Sequence, residues 1–74
     1  MAHYIKFDTL NNEKIKVNTD KVLFVTLYTD NNGKKHIRIV YSNDMVSDFT
    51  ENINVVSVDY IFNLFTCHGY GYDI

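Results

Sequence analysis

The chain has no proline, three glycines and a single cysteine, and no apolar run approaches the length of a membrane span. Each shortage removes a class of protein. One cysteine cannot close a disulfide within the chain, which excludes a disulfide-stapled mini-protein. Without about 20 consecutive apolar residues there is no bilayer-crossing helix. Lys6, Asp8 and the run Asn11-Asn12-Glu13-Lys14 interrupt the N-terminal region before a secretory apolar segment can form. Scarce glycine and absent proline leave no linker, internal repeat or low-complexity block. The expectation is a soluble protein of a reducing, cytoplasmic compartment, with no membrane partner.

What is present is globular. The 74 residues are 46% hydrophobic and 22% charged, with five Phe and six Tyr, too apolar and too weakly charged for disorder. The length fits one small domain over residues 1–74, with 69–74 as an end that frays or docks. A domain this short buries only about 60% of its extended-chain surface. With no disulfide, its stabilisation has to come from an aromatic core and from self-association, so a homodimer is expected.

The net charge of −2 conceals a division. All seven basic residues lie at or before Arg38, so the chain through Tyr41 carries +3 and the remainder −5. The two parts nearly neutralise each other when packed together within one fold or across a dimer.

Hydrophobic alternation marks two hairpins. Ile5 and Phe7 alternate with Tyr4, Lys6 and Asp8, and Ile15 and Val17 with Lys14 and Lys16. A turn through Leu10-Asn11-Asn12 pairs Phe7 with Ile15, Ile5 with Val17 and Asp8 with Lys14. In the second hairpin, Asp30-Asn31-Asn32-Gly33 fits a type I turn followed by a G1 bulge. That loop pairs Leu27 with Ile37, Val25 with Ile39 and Leu23 with Tyr41 on one face. The opposite face then carries Tyr28 with His36, Thr26 with Arg38 and Phe24 with Val40. A one-residue slip would mix apolar with polar on both faces, so the register is well specified.

Beyond Tyr41, Ser42 or Asn43 can cap a helix, with Met45, Val46, Phe49 and Ile53 at helical spacing, so a short helix is expected over 43–52. The segment after Ile53 reads two ways. Val56, Val58, Tyr60, Phe62 and Leu64 alternate as a strand. Tyr60, Ile61, Leu64 and Phe65 form a helical stripe, with Asp59 as a possible cap. β-branched and aromatic content favours a strand from about 54 to 62. The expected fold is α+β: an antiparallel sheet of four to five strands from two consecutive β-hairpins, a short helix and a C-terminal strand or helix.

Few residues suggest chemistry. His3, His36, Cys67 and His68 lack the paired spacing of a zinc site, so no metal and no cofactor is expected. Cys67 and His68 are adjacent, which points their side chains apart on regular structure. No nucleophile elbow, phosphate-binding glycine loop or spaced acid pair occurs, and a chain this small has little room for a substrate pocket. The expectation is a protein that is not an enzyme.

Three surfaces are candidates. Lys34, Lys35, His36 and Arg38, beside Tyr28, form a basic and aromatic hairpin suited to nucleic acid, although lysines at a hairpin tip also protect an edge strand. Asp44, Asp48 and Glu51 would share one helix face, as in small acidic inhibitors of phages and mobile elements, or as on any solvated helix. Phe24, Tyr28, His36, Arg38 and Val40 form a solvent-facing group that calls for a second layer or a protein partner, with Tyr4 joining if both hairpins share one sheet. This last face is the nominated binding surface, and the expected function is a self-associating module that binds a protein.

The run from Ile5 to Val40 resembles the strand-rich start of LytTR-type DNA-binding domains and the short strand–turn–strand core of small swarming-motility proteins. The likeness rests on Asn11-Asn12-Glu13, Ile15, Val17 and Asn32-Gly33-Lys34. These are general hairpin signals, and the chain departs from the LytTR pattern in having no Lys or Arg after Arg38. No family is assigned on this basis and no residue role is carried over.

Overall fold

The computed structural model describes residues 3–67. In chain order these form β1 (Tyr4–Asp8), β2 (Lys14–Asn18), a 3-10 turn (Thr19–Lys21), β3 (Val22–Thr29), β4 (Lys35–Tyr41), β5 (Val46–Thr50) and α1 (Val58–Thr66). The class is α+β. The strands make two antiparallel sheets, β1-β2 and β3-β4-β5, where a single sheet was expected.

The first hairpin has the expected register, with Phe7 opposite Ile15, Ile5 opposite Val17 and Asp8 opposite Lys14. Asn12 takes φ 63° in its turn, and the Thr9 hydroxyl accepts the Glu13 N–H at 3.1 Å. The chain then leaves this sheet through the 3-10 turn. Thr19, fully buried, sends both its N–H and its hydroxyl to the His3 carbonyl, each at 2.9 Å. That pairing of every buried polar group is what permits a threonine in the core.

The second hairpin also follows its turn chemistry. Asp30 accepts the N–H groups of Asn32 and Lys34 through Oδ1, at 2.8 and 2.9 Å, and Gly33 sits at φ +78°. The expected pairs from Phe24–Val40 to Tyr28–His36 all form. One pair does not. A bulge between Val22 and Phe24 puts Val22, not Leu23, opposite Tyr41. Val22 enters the core and Leu23 is left 53% exposed.

The expected helix over 43–52 is instead the third strand of this sheet, β5. Val46 and Thr50 are β-branched, and Ser47, Asp48 and Asn52 are weak helix formers, so local preference gives little to a helix. Pairing with β4 satisfies the backbone groups that β3 leaves free. Asn43 and Asp44 build the connecting turn. The Asn43 Oδ1 accepts the Met45 N–H at 3.1 Å, and Asp44 takes φ 68°.

The strand favoured over 54–62 is also overturned, since α1 is a helix. Its cap is Ser57, whose hydroxyl accepts the Tyr60 N–H at 3.3 Å, and Asp59 lies in the first turn. Val58, Ile61 and Phe65 form its buried stripe. α1 lies against β3, β4 and β1. The core comprises this stripe, Val25, Ile37 and Ile39 from the larger sheet, and Ile5, Phe7 and Val17 from the first hairpin. Phe7 meets Phe49 of β5 edge to face, with ring centroids 5.2 Å apart.

Candidate interaction face

Alternation along β3, β4 and β5 divides the larger sheet into two faces. The inner face, with Val25, Ile37 and Ile39, carries the core and α1. The outer face carries Phe24, Thr26 and Tyr28 from β3, and His36, Arg38 and Val40 from β4. Val46, Asp48 and Thr50 of β5 complete it. Every one of these nine is half-exposed or exposed, so no layer covers this face among the described residues. All five nominated residues lie here together. Tyr4 does not join them, because the first hairpin is a separate sheet. Its ring instead lies under the Lys16 ammonium at 4.2 Å.

The outer face has two unlike ends. Phe24, Val40 and Val46 form an apolar end near the β4–β5 turn, where Met45 is also exposed. The other end is an ionic cluster spanning all three strands. His36 Nε2 lies 2.8 Å from Asp30 Oδ2, and its Nδ1 lies 2.8 Å from Asp48 Oδ1. Only the imidazolium can donate at both ends. Asp30 and Asp48 accordingly raise the His36 pKa above its ordinary value. His36 in turn lowers Asp30, together with the backbone N–H groups of Lys34 and Asn32. At Asp48 desolvation opposes ionisation. Hydrogen bonds from Tyr28 and His36 and the positive charges of His36 and Arg38 outweigh it, and the carboxyl is lowered.

Tyr28 completes the cluster. Its ring stacks on His36 with centroids 4.6 Å apart and planes 5° from parallel, while the Arg38 guanidinium sits 4.6 Å from the same ring. The Tyr28 hydroxyl donates to Asp48 and accepts from Arg38 Nη2 at 3.1 Å. The bond to Asp48 is the leading reason its pKa is raised. The result is a hydrogen-bonded, nearly charge-balanced polar surface whose donors and acceptors hold one another in place.

The other candidate surfaces are dispersed. Lys35 alternates to the inner side and pairs with Asp59 at 3.7 Å, Arg38 pairs with Asp48 at 3.5 Å, and Lys34 stands exposed in the turn. Asp44, Asp48 and Glu51 share no helix face. Asp44 is in the β4–β5 turn, Asp48 is in the outer cluster, and Glu51 accepts the Val58 N–H at 3.3 Å. Cys67 follows α1 and is exposed, and His3 is exposed at the other end of the described chain. His68 and the 69–74 segment lie outside the described residues.

One feature runs against the expectation of little pocket space. A groove of about 480 Å³ lies between β1 and the start of α1, lined by Phe7, Asp8, Val55, Ser57, Tyr60 and neighbours. Of the two hydroxyls on its helix side, that of Ser57 is engaged as the cap, and that of Tyr60 belongs to an exposed side chain. The β5 contribution to the outer face escaped sequence reasoning. Val46, Asp48 and Thr50 alternate with Ser47 and Phe49, and Asn43-Asp44 is a turn pair, which together carried the signal. Comparison with family profiles, curated proteins and solved structures gives no match.

Proposed function

We propose that the chain is a non-catalytic interaction module that self-associates and binds a protein partner through the outer face of β3-β4-β5. The observation that carries this reading is the uncovered sheet face itself. It joins an apolar end to an ionic cluster with fixed geometry, the combination of desolvated anchor and oriented polar rim found in protein interfaces. Phe24 and Val40 are the anchors. Tyr28 and Arg38 offer a flat aromatic and cationic surface, and His36 holds both in place.

The test is a pull-down from the native host that compares wild type with Val40→Asp and Arg38→Glu. Both substitutions lie on β4 and face outward. A protein captured by wild type and retained by Lys14→Glu, on the other hairpin, should be lost with either face variant. Loss of a central anchor weakens binding by about 2 kcal/mol or more, roughly thirtyfold. Equal capture by all four proteins would reject the outer face as the binding surface.

A further inference from the structure

We infer that two copies of this chain pair through the free edges of their β3 strands, forming one continuous antiparallel sheet of six strands. The inference rests on the self-association in the reading above and names the surface responsible.

Among the described residues four strands have a free edge, and they are not alike. β1, β2 and β5 are each five residues long and each contains a charged residue: Lys6 and Asp8, Lys14 and Lys16, and Asp48. Charged side chains on short strands are the usual protection against edge-to-edge pairing. The Thr50 end of β5 is further closed by the Asn54 side chain, and Leu10 at the end of β1 bonds the Asn54 carbonyl at 2.8 Å. β3 differs in length and in charge, and its bulge is confined to the Val22–Phe24 end. Its eight residues, Val-Leu-Phe-Val-Thr-Leu-Tyr-Thr, contain no charge, glycine or proline.

Among the described residues, the outward backbone of β3 is left unpaired. Asp30 N–H bonds the Lys34 carbonyl, which fixes the phase of the β3–β4 ladder. Even-numbered residues from Phe24 to Tyr28 then point their N–H and C=O groups toward β4, and Val25, Leu27 and Thr29 point theirs away. These outward groups have no hydrogen-bond partner among the described residues. Leu27 belongs to the inner face yet is 36% exposed, so α1 covers this end of β3 only in part.

The edge is self-complementary. Antiparallel pairing about a two-fold axis at Thr26 sets Val25 against the partner's Leu27, with Phe24 beside the partner's Tyr28 on the outer side. It brings Lys21, just before β3, toward the partner's Asp30, just after it, so the flanking charges are opposite in sign while Asp30 keeps its bonds to His36 and the turn. A second copy is therefore the occupant that fits both the backbone and the flanking charge.

Two measurements on the full chain decide this. Sedimentation velocity from micromolar to millimolar concentration should show a dimer, converted to monomer by Leu27→Lys and, independently, by Thr29→Pro. The proline occupies an outward N–H position and leaves the ladder to β4 intact. A Thr26→Cys variant in a Cys67→Ser background should form an intermolecular disulfide on mild oxidation, because directly opposed residues of a non-hydrogen-bonded pair approach closely enough. Val40→Cys in the same background should not. A monomer at every concentration overturns the inference, and so does a dimer unaffected by both edge variants. A dimer that crosslinks through Val40→Cys but not Thr26→Cys keeps self-association and rejects the edge. Loss of partner capture in Val40→Asp, measured separately, is unaffected by any of these results.

Discussion

His36 is the residue on which the outer face depends. It joins the β3–β4 turn, through Asp30, to the third strand, through Asp48. The pH dependence follows from the directions of the shifts. The raised His36 pKa gives stabilisation that is complete below the unfolded value of about 6.5 and is lost as pH rises through the folded value. The lowered Asp30 and Asp48 values give stabilisation that is complete above about 3.9 and is lost as pH falls through the folded values. The thermal midpoint should therefore be highest between about pH 4 and 6.5 and decline above that. In His36→Gln the alkaline decline should flatten, since glutamine has no proton to lose there. Thermal melts at a series of pH values check both expectations, and an unchanged alkaline decline in the variant would assign it to another group. Gly33 is a second single-residue test. A Cβ there would meet nothing within 4 Å, so the cost of Gly33→Ala comes from φ +78° alone. It should amount to about 1–2 kcal/mol in urea unfolding.

The elements differ in how much the sequence revealed of them. The first hairpin register, and the second as far as the bulge beyond Phe24, were legible because turn residues and alternation agree. Asn12 and Gly33 take the left-handed positions, and the apolar residues on each side face inward. β5 was hidden because Met45, Val46, Phe49 and Ile53 satisfy helical spacing over a segment too short to exclude it. α1 was legible as the second of two readings, through the stripe Tyr60, Ile61, Leu64 and Phe65, and took second place for the opposite reason. Val56, Val58, Tyr60, Ile61 and Phe62 have strand-like local preference, and docking of Val58, Ile61 and Phe65 onto the sheet overrides it. The outer face was legible only where it comes from β3 and β4. Its polar anchor Asp48 was assigned to a helix face that does not exist, so the ionic cluster went unseen. Helix formation by so unhelical a segment should depend on its cap. Ser57→Ala should cost about 1 kcal/mol, and the far-UV helical signal should melt earlier.

At the scale of the whole molecule, the described residues form two small sheets and one nine-residue helix around a shared core. If β3 edges pair, thermal stability becomes a function of protein concentration. The midpoint should rise on concentrating wild type and stay constant for Leu27→Lys, a comparison that calorimetry makes directly. The two outer faces would then lie side by side on the same surface of one sheet. The order of the strands has a further consequence, in time rather than in space. Each strand bonds only to its neighbour in sequence, so every pairing closes a short loop and none waits for a distant segment. With no proline in the chain, no slow isomerisation precedes that closure. Refolding of each chain from denaturant should therefore finish in one rapid exponential phase, and, if β3 edges pair, a slower phase that quickens with protein concentration should follow it.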